Sequence, residues 1–221
     1  MEVEREMSQP KMTNELNELN ELNRQAVISP NSEGRSSFKN RYIELWQTVK
    51  REGIPELLAW LETTDFYTAP CSTKYHLSRE GGLLEHSLNV FDSLLAKGFD
   101  LESTTICALS HDFCKIGFYT TELRWRKDKD NKWEQYPVYV VKDQFPFGHG
   151  EKSALLVNRF IKLKPSEHMA IRWHMGGFTP GIQDYSLSQA MGEAFRTYPL
   201  AVYLHMADMG ACYLLEKEEE A

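Results

Sequence analysis

No window of 18 consecutive apolar residues occurs in this 221-residue chain, so no segment reads as a membrane-spanning helix. The first 25 residues are polar and acidic and hold no apolar core, so no secretory leader is expected and the reading is cytoplasmic. Cysteine is sparse: Cys71, Cys107, Cys114 and Cys212, none in C-x-x-C spacing. They read as reduced thiols, and no cysteine-based structural zinc site is expected. An excess of charge is also missing from the body of the chain. The net charge is −7, but residues 1–24 hold six acids against three bases, and residues 216–221 four acids against one base. The remaining 21 bases and 22 acids nearly cancel, so no extended nucleic-acid groove built on positive charge is expected.

What is present is an ordinary globular composition. Hydrophobic residues at 42% and charged residues at 26% exclude collagen-like, coiled-coil and wholly disordered chains. The length suffices for one domain whose core needs no disulfide or metal staple.

Three parts follow from the pattern. Residues 1–38 read as a disordered acidic tail: Asn14 to Asn23 repeats Asn-Glu-Leu at a period of three, which is not a helical period, and a turn-rich Ser29–Gly34 segment follows. Residues 39–215 read as one helical domain, and residues 216–221 as an acidic C-terminal tail. Within the domain, Tyr42, Leu45, Trp46 and Val49 recur at helical spacing, as do Ile54, Leu57, Leu58 and Leu61. An apolar helix follows Gly81-Gly82 and carries His86, with Gly98 as its C-cap; Ser103 caps the next helix, which ends in His111-Asp112. Residues 119–141 break this pattern, alternating apolar and charged residues around an Asp128–Asn131 turn, and read as an inserted β-hairpin. Helices are expected again over 151–163, 166–174 and, as one helix or a pair, 186–215. The predicted class is all-α with one small hairpin.

Six ionisable side chains punctuate these helices: His86, His111, Asp112, His149, His174 and Asp208. Helical bundles build metal sites by projecting such groups inward from several helices, and four imidazoles with two carboxylates suit divalent ions such as Zn, Mn, Fe or Mg. Each has a plainer reading alone. A single histidine on an apolar helix is ordinarily a core residue, a His-Asp dipeptide is a common accident, and His149 between two glycines reads equally as a turn. Asp208 on an otherwise apolar helix is costly unless paired or metal-bound. A carboxylate placed to bridge two ions gives a two-metal centre, which activates water and clamps a phosphoryl group.

The order His86 … His111-Asp112 … Asp208 resembles the H…HD…D pattern of the HD-domain superfamily of metal-dependent phosphohydrolases, and His111-Asp112-Phe113-Cys114-Lys115 is similar to its HD-x-x-K segment. The stretch Phe66–Val90, with Tyr75-His76 and Gly81-Gly82-Leu83-Leu84-Glu85-His86, is similar to the HD domain of bacterial 3′–5′ exoribonucleases. Those enzymes carry an OB-fold ahead of that domain, for which residues 1–38 are too short and polar. The resemblance implies an HD-type helical bundle and two divalent ions drawn from Mn, Mg, Fe, Zn and Ni. His86, His111, Asp112 and Asp208 would hold one; Asp112, His149 and His174 the other. Asp112 and Lys115 become the catalytic candidates, and Lys115, His76 and Arg79 the phosphate contacts of a nucleotide or nucleic-acid substrate. The same six-ligand order also occurs in mixed-valent di-iron oxygenases of this fold, and a non-catalytic nucleotide-sensing domain is the third reading. Trp125, Trp133 and the hairpin's bases, nearly cancelled by its acids, are expected to cover the site's rim. Residues 175–184 read as a loop near the metals, and Phe147 and Trp173 as core or pocket wall.

Overall fold

The computed structural model describes residues 32–216. The chain divides into two units, residues 1–37 and 38–221, and most of the tail assigned to 1–38, together with residues 217–221, lies outside the described residues. The described chain is mostly helical with one two-stranded antiparallel sheet. Among the described residues no helix is long and apolar enough to cross a membrane.

The elements run α1 (Ser32–Thr48), α2 (Ile54–Leu61), α3 (Gly82–Leu95), α4 (Leu101–Ser110), a 3₁₀ turn (Phe113–Lys115), β1 (Tyr119–Lys127), β2 (Trp133–Val141), α5 (His149–Asn158), α6 (Pro165–Trp173), a second 3₁₀ turn (Gly176–Phe178), α7 (Tyr185–Thr197), α8 (Pro199–Gly210) and a π turn (Ala211–Leu215). α3 packs against α4 and α8, and α6 against α5, α4 and α8. The core between them holds Tyr42, Trp46, Phe66, Phe91 and Phe113, all at most 1% exposed. Burying one such aromatic contributes roughly 1.5–3 kcal/mol or more.

Several boundaries differ from those read off the sequence. Helix α1 begins before residue 39, at Ser32. Helix α3 ends at Leu95 with Ala96, not Gly98, as its C-cap, and Gly98 sits two residues past that cap in a turn at φ 80°. Asp100, not Ser103, caps α4, its carboxylate accepting the Ser103 N–H at 2.9 Å. Helix α5 begins at His149 rather than Glu151 and ends at Asn158, so His149 is a helical residue. Residues 185–210 form a pair of helices split at Pro199, where the missing N–H falls in a first turn that needs none. Glu216 is not tail: it is 5% exposed.

The hairpin matches its predicted span, with Tyr119 opposite Val141 and Lys127 opposite Trp133. Asp128 closes it by accepting the N–H groups of Asp130 at 2.9 Å and Lys132 at 2.8 Å. Its outer end is solvated: Trp125 and Trp133, expected at the rim of the site, are over 60% exposed and line no part of the cavity that opens on the site, which Tyr119 and Val141 at the base of the hairpin do line.

One backbone approach positions the site. A Cβ on Gly150 would lie 2.1 Å from the Arg172 carbonyl oxygen, so only glycine lets the start of α5 approach the end of α6. This brings His149 beside His174, whose rings are 5.2 Å apart.

A buried ion pair ties three segments. The Arg51 guanidinium donates to both Glu167 oxygens at 2.7 Å and to Glu102 at 3.0 Å, and Ser103 donates to Glu167 at 2.7 Å. Burial opposes the Glu167 charge, but Arg51 and Ser103 hold its carboxyl below the usual range. A depressed folded pKa contributes stability above the unfolded carboxylate range, and that stability is lost as pH falls through the folded value. Replacing Glu167 by Ala removes the two-oxygen partner of Arg51 but leaves it Glu102, and should cost about 1.5–3 kcal/mol at neutral pH, the scale of hydrogen bonds to a charged group. Urea unfolding at pH 7 and pH 3 checks this: the deficit should shrink at the lower pH, and a neutral-pH loss under about 1 kcal/mol would mean that solvent screens the pair.

Candidate metal centre

The local chain geometry explains how adjacent His111 and Asp112 reach one point. Side chains of helical neighbours diverge by about 100°. His111 is the C-cap of α4, and Asp112 leaves the helix at φ −104°, ψ 19°, in the sparsely allowed bridge region. The 3₁₀ turn that follows stacks residues three apart, which sets Lys115 over Asp112 with Nζ 2.6 Å from Oδ2. His174 is the C-cap of α6, His149 the first residue of α5, His86 lies in α3 and Asp208 in the last turn of α8.

All six converge. His86 Nε2 is 3.2 Å from His111 Nε2 and 3.2 Å from Asp208 Oδ1. Oδ2 of Asp112 lies 3.6 Å from His86 Nε2 and 3.5 Å from His111 Nε2. Its other oxygen, Oδ1, lies 3.0 Å from His149 Nε2 and 3.6 Å from His174 Nε2. The carboxylate therefore turns one oxygen to each of two histidine pairs. Nitrogen and oxygen ligands about 2.0–2.2 Å from a common ion stand roughly 2.9–3.6 Å from one another, so these separations suit two ions sharing Asp112.

Proton positions point the same way. A carbonyl only accepts, so His111 Nδ1–H donates to the Ala108 oxygen at 2.8 Å and His174 Nδ1–H to the Ile171 oxygen at 2.7 Å. With Nδ1 carrying the proton, the neutral form of each ring presents an Nε2 lone pair to the centre. That nitrogen of His174 is buried with no hydrogen-bond partner, an arrangement that a cation would satisfy. Burial pushes His111 down to about 4, overriding Asp112, so its ring is neutral near pH 7. Burial also lowers His149, against the pull of Asp112. Burial opposes the charge of Asp112, yet the Lys115 ammonium and the imidazoles hold its carboxyl well below the usual range.

Four further groups gave no signal in the sequence. Glu216 follows a π turn whose last N–H, its own, donates to the Ala211 oxygen at 3.0 Å. That wider turn carries its carboxylate to His86, 3.0 Å from Nδ1, with the Asn89 amide donating to Oε1 at 2.8 Å. Burial raises the Glu216 carboxyl, but His86 and Asn89 hold it low, so a carboxylate orients the ring. Cys71, Cys114 and Cys212, distant in sequence, stand around the centre. Cys114 Sγ is 3.2 Å from His149 Nδ1, and Cys212 Sγ 3.5 Å from Asp208 Oδ1.

A cavity of about 430 Å³ opens on Asp112, Asp208, His149 and Lys115, with His76 and Tyr119 in its wall; Val141 from the hairpin and Met175 and Phe178 from the loop after α6 also line it. His86, His111 and His174 are fully buried. Lys115 is the only lysine or arginine lining the cavity among the described residues, and burial, which would lower its pKa, is outweighed by Asp112 and Cys71. Arg79, expected to meet phosphate, instead donates to Glu85 at 2.6 Å and is not part of this wall. Phe147, expected in core or wall, is 51% exposed and lines no part of the cavity, whereas Trp173 is buried.

In comparisons with family models, curated proteins and solved structures, nothing matches this chain.

Carboxylates behind metal-ligating histidines fix ring orientation and basicity, and their loss typically weakens metal binding by about 10–100-fold. Glu216→Ala should weaken Mn²⁺ binding by that factor, read by calorimetric titration. Unchanged affinity would show that Glu216 does not support His86 as a ligand.

Proposed function

We propose that the domain read at residues 39–215, extended to include Glu216, is an HD-type domain that hydrolyses a phosphoester of a nucleotide or nucleic acid at a dinuclear metal centre. The observation that carries this reading is the placement of Asp112, with one oxygen toward His86 and His111 and the other toward His149 and His174. His86, His111, Asp112 and Asp208 would hold one divalent ion, and Asp112, His149 and His174 the second. Such ions lower the pKa of a water molecule and neutralise phosphoryl oxygens.

The chain's own residues divide the remaining work. Asp112 and Asp208 balance the charge of the centre and face the cavity. Glu216 holds the His86 ring through Nδ1, so that Nε2 points inward. Lys115 supplies a fixed positive charge on the cavity side of Asp112, within reach of a phosphoryl oxygen. Its ammonium cannot ligate a cation, so its role is toward substrate. His76 is the second group of that wall placed to meet phosphate. Tyr119, Val141 and Phe178 give the cavity an apolar side that suits a base or sugar face. The near-neutral body and the absence of arginine among the described lining residues favour a small phosphoester over a long polyanion.

Metal analysis of the purified chain, followed by nucleotide and phosphodiester assays with each metal added back, tests the reading. Hydrolysis should proceed anaerobically with Mn²⁺ or Mg²⁺ and no reductant; activity that requires iron and oxygen would transfer the site to the oxygenase class. Asp112→Ala should lose at least half the bound metal and the thermal stabilisation that saturating metal confers. Lys115→Ala should keep its metal while kcat/KM falls by roughly 10²–10³, the scale of one preorganised electrostatic contact. A change within about twofold would remove Lys115 from the chemistry.

A further inference from the structure

A second cavity, of about 580 Å³, adjoins the one over the candidate centre, and Thr73 and Val141 line both. The two differ in charge. Asp112 and Asp208 wall the first, whereas the second has no acid in its lining among the described residues and carries two cations, Lys74 from the 71–77 loop and Arg124 from β1. The cavity runs along β2, where Tyr136, Val138 and Val140 are half-buried. Arg124 stands opposite Tyr136 in the hairpin, so both side chains project from one face, which the alternation of a strand also gives to Val138 and Val140.

Neither cation is committed elsewhere. Among the described residues no carboxylate pairs with the Lys74 ammonium or the Arg124 guanidinium, while Arg126, two places along the same face, donates to Glu134 at 2.7 Å and lies over the Tyr136 ring. Glu122, the other acid of that face, lines no part of the cavity. The frame around the two cations is pinned. The Tyr119 hydroxyl at the base of β1 donates to the Cys71 oxygen at 2.9 Å, tying the hairpin to the 71–77 loop. Ser72 Oγ accepts the N–H groups of Lys74 at 3.3 Å, Tyr75 at 2.9 Å and His76 at 3.0 Å, which fixes the turn that carries Lys74. A Cβ on Gly82 would lie 2.1 Å from the Leu77 carbonyl oxygen, so glycine lets this loop close against the start of α3.

We infer that this cavity is a second phosphate subsite, in which Lys74 and Arg124 hold a phosphoryl group that is not hydrolysed while the reacting phosphoester lies at the metal centre next door. The inference rests on the phosphoester reading above and narrows its substrate to a nucleotide or dinucleotide that carries a second phosphate. A guanidinium fork and an ammonium together suit a phosphate dianion. The half-buried valines and Tyr136 beside them suit the sugar or base between the two phosphates. Both cations are exposed, so their contact sets specificity rather than the fold, and it weakens as salt rises.

The test is calorimetric titration of the full chain, saturated with Mn²⁺ at low ionic strength. The ligands are adenosine 5′-monophosphate, adenosine 3′,5′-bisphosphate and a 5′-phosphorylated adenine dinucleotide, each as its slowly hydrolysed phosphorothioate. The bisphosphate or the dinucleotide should bind about tenfold more tightly than the monophosphate, the scale of one added hydrogen-bonded charge contact. Whichever gains identifies the second phosphate as terminal or internucleotide. Lys74→Ala and Arg124→Ala should each remove most of that advantage with the circular dichroism spectrum retained, and about 0.5 M salt should remove it as well. Equal affinities, no binding of any of the three, or an advantage that survives in the doubly substituted chain overturns the subsite. Phosphoester turnover on the same preparations separates the two readings: turnover without the advantage removes the subsite alone, and the advantage without turnover removes hydrolysis alone.

Discussion

A carboxylate that is 3% exposed inside a helical domain must be compensated, and the architecture around Asp112 is organised by that demand. Lys115 sits on one oxygen, and four imidazoles drawn from α3, α4, α5 and α6 surround the two. Without these partners the buried charge would cost several kcal/mol, a large fraction of the roughly 5–15 kcal/mol that stabilises a domain. The partners come from four helices, so the same charge that defines the centre also ties the bundle around it.

The centre is supported from behind as carefully as from within. Backbone carbonyls at the ends of α4 and α6 take the Nδ1 protons of His111 and His174, and Glu216 takes that of His86. Both carbonyls lie three residues before their histidines, where a helix end leaves acceptors unpaired. The helix termini thereby solve two problems together: they satisfy orphan carbonyls and select the ring tautomer that presents a lone pair inward. His205 adds one more such contact, donating from Nδ1 to the His174 carbonyl at 2.6 Å.

Two kinds of donor share the one cavity. Imidazoles and carboxylates crowd around Asp112, whereas sulfur gathers around His76. Cys71 joins the two, with its sulfur 3.4 Å from Lys115 Nζ and 3.2 Å from His76. Burial alone would raise its thiol, but His86 and Lys115 bring it down to about 7. Cys114 meets the opposite field: burial and Asp112 push its thiol well up. Position relative to Asp112 and Lys115 separates two buried cysteines that look alike as residue types.

Local information was enough for the helical class, the hairpin at 119–141 and the six ionisable residues, because periodicity, turn chemistry and charges on apolar helices are written in short windows. It misplaced the cap of α4, where Asp100 and Ser103 are both good capping types and only the hydrogen bond separates them. It set Glu216 in a solvated tail, since a run of acids looks solvated until a π turn carries one of them onto a buried histidine. It gave Arg79 to substrate, although Glu85 six residues on had already claimed it. The four cysteines are free thiols, as read, but their placement was not legible: 141 residues separate Cys71 from Cys212, yet both touch His76. Residue types and their order along the helices belong to the sequence; which of them share a cavity, with which proton on which nitrogen, was decided only when packing brought distant helix ends within a few ångströms.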